Sequence, residues 1–169
     1  MRAFGFLLSL SAFLFSSTWS NGAEITNVPL SFYVVSEKKI EGGRFIDTAS
    51  FPKLGYIGAT PDLIITKLED VATNSMKERA IMVDKNGREI PEPFRVRPAL
   101  HITMKADDAK KFEKLTERAV GKQLLMMHGD KPLTAPLVRG PIPTSSFLLE
   151  LTDKPDQKNV EEGLRKLVR

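Results

Sequence analysis

Residues 98–138 read PALHITMKADDAKKFEKLTERAVGKQLLMMHGDKPLTAPLV, and this stretch decides the fold. Leu100, Ile102 and Met104 alternate with polar residues, which is the period-two pattern of a strand with one buried face. Farther on, the apolar spacing becomes helical, and Gly121 follows where a helix C-cap belongs. The stretch therefore predicts a strand followed by a helix, which Asp107 or Asp108 would cap.

After this helix, short strands alternate with turns. Residues 122–128 and 133–138 are predicted strands on either side of a tight turn at Gly129-Asp130-Lys131. Residues 145–152 form a further strand, and Pro155 opens a last amphipathic helix.

Upstream of residue 98 the patterns are weaker but still favour strands. Residues 28–35 and 63–71 are rich in β-branched and apolar residues, whereas residues 37–52 read as a loop. Asn86-Gly87 predicts a tight hairpin. The order of elements predicts an α+β fold, in which a mainly antiparallel sheet carries two helices on one face. Residues 98–169 would form the main α+β domain, and residues 23–97 would add strands and loops to it or form a small lobe.

Residues 1–22 are expected to be a signal peptide rather than part of the fold. Arg2 precedes thirteen apolar or small residues, 3–15, and a short polar stretch follows them. A membrane-spanning helix needs about 20 apolar residues, so a cleaved signal is the better interpretation. The chain has no cysteine to carry a lipid anchor, and we expect a periplasmic or secreted protein.

The composition excludes several classes of function. With no cysteine and two histidines, the chain has neither a thiol nucleophile nor a histidine-rich metal site, and we expect no metal and no cofactor. Lys and Arg number 25 against 21 Asp and Glu, a formal charge of +4, and there is no polybasic run. Nucleic acid is therefore not an expected partner.

Residues 107–142 resemble the head of the first periplasmic domain of SecD, the accessory subunit of the bacterial protein-export channel. The resemblance rests on several short blocks in the right order: Ala109-Lys110-Lys111-Phe112, Leu115-Thr116, Val120-Gly121-Lys122-Gln123-Leu124, Thr134-Ala135-Pro136 and Gly140-Pro141-Ile142. It extends loosely to the last strand and helix. The resemblance implies an α+β head domain connected with protein export.

The chain also departs from the SecD pattern. Gly129-Asp130 stands where that family usually has Asp-Gly, and Thr144, Ser145 and Ser146 replace a glycine pair. SecD also has membrane helices, and no segment after the signal peptide is long enough to be one. The resemblance therefore implies a free-standing, exported copy of the head domain.

Four residues are candidates for binding, and none is a candidate for catalysis. Residues 124–127 are apolar on both parities, which is typical of a central strand, although Met126 and Met127 would also suit a flexible surface for varied apolar segments. Pro136 indicates a strand edge or a bulge, beside which an extended peptide can add as a strand. Leu148, in the following strand, is the fourth candidate.

Two further groups of residues are better explained without a metal-binding or catalytic role. His101 and His128 have no second ligand nearby in sequence and are expected on the solvated surface. Residues 36–39 match Ser-x-x-Lys in spacing, but they follow a strand rather than opening a helix, and the companion motifs of acyl enzymes are missing.

The sequence therefore predicts an exported, non-enzymatic protein that binds polypeptide or an envelope partner in connection with protein export. A stand-alone interaction or assembly module of the cell envelope is the alternative. A small hydrolase is a weaker one, because no set of nucleophile, base and orienting residue is evident.

Overall fold

The computed structural model describes residues 27–78, 81–91, 95–150 and 154–168. Within them, short strands surround two helices, in this order: β1 (Leu30–Val34), β2 (Arg44–Ile46), β3 (Gly55–Ile57), β4 (Leu63–Ile65), β5 (Leu68–Glu78), β6 (Ile81–Val83), β7 (Glu89–Pro91), β8 (Arg95–Met104), α1 (Ala106–Arg118), β9 (Leu124–His128), β10 (Lys131–Thr134), β11 (Ser146–Glu150) and α2 (Lys154–Arg165). The expected signal peptide at residues 1–22 lies outside the described residues.

The strands form two main sheets and two small hairpins. One sheet has the order β10-β9-β1-β4 and the other has the order β11-β8-β5, while β2 pairs with β3 and β6 with β7. Every one of these pairings is antiparallel. The predicted α+β class is confirmed, with the difference that the strands form two main sheets rather than one. Strands β1, β4 and β5 come from residues before 98 and share these sheets with later strands.

Strand β1 lies inside the four-stranded sheet and is buried on both faces. Leu30 and Phe32 point into the main core, whereas Tyr33 and Val35 point into a second cluster on the other side. Strand β9 follows the same alternation, because antiparallel pairing places Phe32 opposite Met126. The apolar run at 124–127 is thus a strand with two buried faces.

The main core fills the space between the two sheets and the two helices. Helix α1 contributes Phe112 and Leu115, and helix α2 contributes Val160 and Leu164. Helix α2 is also fixed to β5 at the surface, where the Thr73 hydroxyl donates a hydrogen bond of 2.9 Å to Glu161. The spacing of apolar residues in each helix is therefore explained by one shared interior.

The β2–β3 hairpin covers the second face of the four-stranded sheet. Ile46 and Ile57 from the hairpin pack against Tyr33, Val35 and Leu125. The hairpin is held to the end of β1 because the Ser36 N–H donates to the Tyr56 carbonyl at 2.8 Å. This arrangement allows β1 and β9 to be apolar on both parities.

Three predictions of secondary structure need correction. The expected loop 37–52 contains β2, a three-residue strand in which only Ile46 is buried. The expected strand 63–71 is two strands in different sheets, because the chain leaves β4 after Ile65 and enters β5 at Leu68. Helix α1 begins at Ala106 with Lys105 as its N-cap residue, so Asp107 and Asp108 lie in the first turn rather than at the cap.

His128, expected on the surface, is half-buried at the end of β9. Its Nε2 atom is buried and has no hydrogen-bond partner among the described residues, and a methyl group added to Gly163 of α2 would overlap the imidazole ring. Burial lowers the pKa of His128 below its ordinary value of 6.5. A hydrogen bond with the backbone of Val28 raises this pKa and offsets part of the effect, whereas the charge of Lys131 lowers it further. Because glycine has no side chain, position 163 leaves room for the imidazole ring.

We expect Gly163→Ala to destabilise the protein. Overpacking costs about 1–3 kcal/mol, and the gain of about 1 kcal/mol in helix propensity offsets only part of it. Urea unfolding of both proteins measures the difference. Gly140→Ala is the matched control, because a methyl group there meets nothing within 4 Å. A Gly163→Ala protein as stable as the Gly140→Ala protein would contradict the packing described for His128.

The free energy of unfolding should fall as the pH is lowered from about 7 to about 5. The unfolded chain binds a proton at His128 more readily than the folded chain does, because the folded pKa is lowered. Glu161, whose pKa is lowered by its hydrogen bonds with Arg165 and Thr73, loses its contribution only below its ordinary value of 4.5. The measurement is urea unfolding at several pH values. His128→Gln should flatten the slope in this range.

Candidate functional site

An apolar groove of about 530 Å³ opens between the two sheets. Its lining is mostly aromatic or aliphatic, and its polar side chains are those of Thr134, Arg139 and Glu150. The other lining residues are Phe32, Met76, Phe112, Leu124, Met126, Pro136, Leu137, Val138, Gly140, Ile142, Phe147 and Leu148. We call this feature the apolar groove. A largely apolar cleft with a few polar groups is the usual form of a binding site.

The bottom of the groove is aromatic. The rings of Phe32 and Phe112 lie 5.2 Å apart between centroids, and those of Phe112 and Phe147 lie 5.9 Å apart and are stacked. Phe32 and Phe112 are buried, and Phe147 is partly buried. These residues come from β1, α1 and β11, so the groove exists only where the sheets and the helix meet.

The rim of the groove carries large apolar side chains that remain in contact with solvent. Leu137 is 54% exposed, Leu148 is 46% exposed and Met76 is 37% exposed. Leu137 lies beyond the end of β10 on one wall, and Leu148 lies in β11 on the other. Apolar groups at the mouth of an apolar groove favour an apolar ligand.

Three of the four candidate residues line this groove. Met126, Pro136 and Leu148 come from different strands and are brought together in its lining. Met127 lies on the opposite face of β9, in the second cluster, where an Arg44 Nη2–H donates to its sulfur at 3.3 Å. Met126 is itself only 5% exposed, so the two methionines do not form an open surface.

Sequence reasoning did not identify Leu137 or the aromatic residues of the groove as site residues. The spacing of apolar residues indicates that Phe112 lies on a buried face of its helix and Phe147 on a buried face of its strand, but spacing does not show that the two faces meet. Leu137 follows Pro136 and carries no periodic signal of its own. Leu137 differs from the other groove residues in its high exposure and in its position directly after the SecD-like Thr134-Ala135-Pro136 block.

A buried threonine fixes one wall of the groove to α1. Thr116 is fully buried, and its hydroxyl donates to the Glu113 carbonyl at 2.9 Å and accepts from the Ile142 N–H at 3.0 Å. The chain from 138 to 142 is thereby held against the helix. This contact gives a structural reason for the Leu115-Thr116 and Gly140-Pro141-Ile142 blocks of the resemblance.

The same wall is extended by hydrogen bonds to the start of β9. Gly121 has φ +80°, which suits glycine, and its N–H donates to the Val138 carbonyl at 2.9 Å. The Val138 N–H donates to Lys122, and the Leu124 N–H donates to Pro136, each at 2.9 Å. The chain beyond the end of β10 therefore continues the sheet as far as Val138.

The charged groups of the groove lie at its edge. Glu150 pairs with Arg97, with an oxygen to nitrogen distance of 2.6 Å, on the outer side of β11. Arg139 is exposed on the opposite wall, and no acidic partner for it occurs in the described part of the chain. The interior of the groove remains uncharged.

A second depression of about 980 Å³ lies at the other end of β1 and shares Leu137 with the groove. It is lined by mixed charged and polar groups, including Glu37, Lys38 and Lys122. Ser36, the first residue of the Ser-x-x-Lys match, accepts from the Lys38 N–H at 3.1 Å and donates to the Lys38 carbonyl. This hydroxyl thus closes a local turn. Within the described residues, no three His, Asp or Glu side chains gather as a metal site would require.

The fold is similar to that of SecDF. One solved structure, of SecDF as a membrane component that enhances protein export, matches 82% of this chain with 22% identity and a TM-score of 0.52. A crystal structure of SecDF in a super-membrane-facing form matches the same share with the same identity and TM-score. The resemblance to SecD that the sequence suggests is thereby confirmed at the level of the fold.

The comparison covers only part of SecDF. This chain spans 62% of the first of those chains and 19% of the second. No protein-family model matches the sequence, and no curated protein matches it either. Neither helix of the described residues has the length and apolarity needed to cross a membrane.

We expect Thr116→Val to destabilise the protein by about 1–3 kcal/mol, because the partly buried Ile142 N–H loses its acceptor. Thr116→Ser keeps the hydroxyl and should cost less. Urea unfolding gives the stabilities, and the amide hydrogen exchange of Ile142 reports the local effect. Equal exchange rates at Ile142 in the two variants would show that the hydroxyl does not hold this wall.

Proposed function

We propose that this protein is an exported, non-enzymatic module that binds unfolded polypeptide in its apolar groove, in connection with protein export. The observation that carries the proposal is the groove itself, whose lining combines the exposed Leu137 and Leu148 with the aromatic rings of Phe32, Phe112 and Phe147. An unfolded chain offers apolar side chains that a folded protein buries. A groove of this kind therefore suits a polypeptide that has not yet folded.

The link to export is supported by the fold. Two solved structures with a similar fold are those of SecDF, which is described as a membrane component that enhances protein export. The apolar stretch at 3–15 agrees with a protein that is itself exported and works in the periplasm or outside the cell. The SecD-like block at 140–142 contributes Gly140 and Ile142 to the groove lining, and Thr116 of the block at 115–116 accepts a hydrogen bond from Ile142. Part of the resemblance therefore lies at the proposed site.

A binding role fits the chemistry of the groove better than catalysis does. Its polar side chains are those of Thr134, Arg139 and Glu150, and the last of these is paired with Arg97. Hydrolysis by side chains alone needs a nucleophile within reach of a base. The groove instead offers a broad apolar contact, which can accept many different sequences.

We expect Leu148→Asp to weaken the binding of an unfolded polypeptide at least about tenfold, equivalent to about 1.4 kcal/mol. The carboxylate would place an unpaired charge at the mouth of the apolar groove. The assay is fluorescence anisotropy with a labelled, reduced and carboxymethylated polypeptide that cannot refold.

Ile64→Asp is the matched control. Ile64 is 47% exposed, nearly the same as Leu148 at 46%, but it lies in β4 and does not line the groove. The control should bind like the unaltered protein. If the unaltered protein does not capture the unfolded polypeptide, the proposed function is wrong. It is also wrong if Leu148→Asp and Ile64→Asp lose binding equally. Labelling by a reactive-serine probe would instead favour a hydrolase.

A further inference from the structure

The hydrogen bonds of β11 determine which of its backbone groups face outward. The Met104 N–H donates to the Ser145 carbonyl at 2.7 Å, and the register places these two residues opposite each other. In an antiparallel ladder, hydrogen-bonded pairs alternate with non-hydrogen-bonded pairs. Phe147 and Leu149 therefore bond to β8, whereas Ser146, Leu148 and Glu150 direct their N–H and C=O groups away from it.

One of these three outward positions is already occupied. The Ser146 N–H donates to the Thr144 hydroxyl at 3.1 Å, and the same hydroxyl donates to the Ser146 carbonyl at 3.0 Å. Leu148 and Glu150 have no such backbone partner among the described residues, and both residues line the groove. One wall of the groove thus presents two successive pairs of free backbone donors and acceptors.

The opposite wall offers less. Pro136 has no N–H, and its carbonyl accepts from the Leu124 N–H at 2.9 Å, so the residue that the sequence singled out has no free ladder group. Its neighbour Leu137 opposes Gln123 between two hydrogen bonds, which turns the Leu137 backbone groups outward. The edge of β11 therefore offers more free backbone donors and acceptors than the opposite wall does.

We infer that the groove binds its polypeptide as an added strand on β11, through main-chain hydrogen bonds to Leu148 and Glu150. This inference rests on the proposed function and specifies its mode of binding. The occupant is an extended apolar segment, since alternate side chains would face the aromatic bottom of the groove. The charges at the rim also favour one kind of segment. The carboxylate of Glu150 is paired with Arg97, whereas Arg139 is exposed on the opposite wall, so we expect preference for a segment with an acidic residue at one end.

The direct test uses a labelled peptide of alternating valine and threonine, with aspartate at one end and lysine at the other. Two further peptides carry N-methyl groups on all valines or on all threonines. A strand that pairs on one side needs the N–H groups of one parity alone. We expect one methylated peptide to bind about tenfold more weakly and the other to lose less than about twofold.

A protein variant tests the same contact from the other side. Leu148→Pro removes an N–H that points away from β8, so it should keep the ladder with His101 and its neighbours, as proline does at strand edges. Leu148→Ala removes the same side chain but keeps the N–H. We expect the proline variant to bind the unmethylated peptide about tenfold more weakly than the alanine variant. Urea unfolding of the two variants checks that both are folded.

The outcomes separate this inference from the function on which it rests. If both methylated peptides bind as well as the unmethylated one, strand addition is wrong, while groove binding stands. If the unmethylated peptide and the carboxymethylated polypeptide both fail to bind, the proposed function fails and the inference fails with it. If Leu148→Pro does not fold, the methylated peptides still decide, because they leave the protein unchanged.

Discussion

The structure depends on the burial of strand β1 on both of its faces. Its alternate residues reach two separate clusters, one shared with the helices and one shared with the β2–β3 hairpin. A strand buried on both faces cannot shift its register by one residue without exchanging the two sets of side chains. Because Phe32 is fixed in this way, the aromatic bottom of the groove is fixed too, and so are the sheet and helix that meet above it.

The sequence allowed the parts with strong periodicity to be predicted, and the structure shows why. Alternation at 100–104 and helical spacing from 109 to 119 each reflect one buried face, and both elements lie where they were expected. Strand β2 was missed because a three-residue strand with one buried side chain is too short to show a period. The break between β4 and β5 was missed because the apolar residues of both strands feed the same core from different sheets.

The groove was only partly predictable for a related reason. Met126, Pro136 and Leu148 are separated in sequence, and no local pattern shows that they line one cavity. Met127 differs from Met126 by one position and therefore faces the other way, which composition does not reveal. His128 was expected in solvent because its partner surface, Gly163 of α2, is recognised only when the helix is packed against it.

The hydroxyl of Thr144 has a consequence beyond its local turn. An open strand edge beside apolar groups is a template for self-association, and natural sheets usually obstruct such edges. Here Thr144 closes the edge at Ser146, and the Arg97–Glu150 ion pair flanks its far end. The interval that remains holds the outward backbone groups of Leu148 and Glu150, and it is shorter than the segments of about six residues that form steric zippers. This edge is therefore a poor template for a second copy of itself, although it can still pair with an extended peptide.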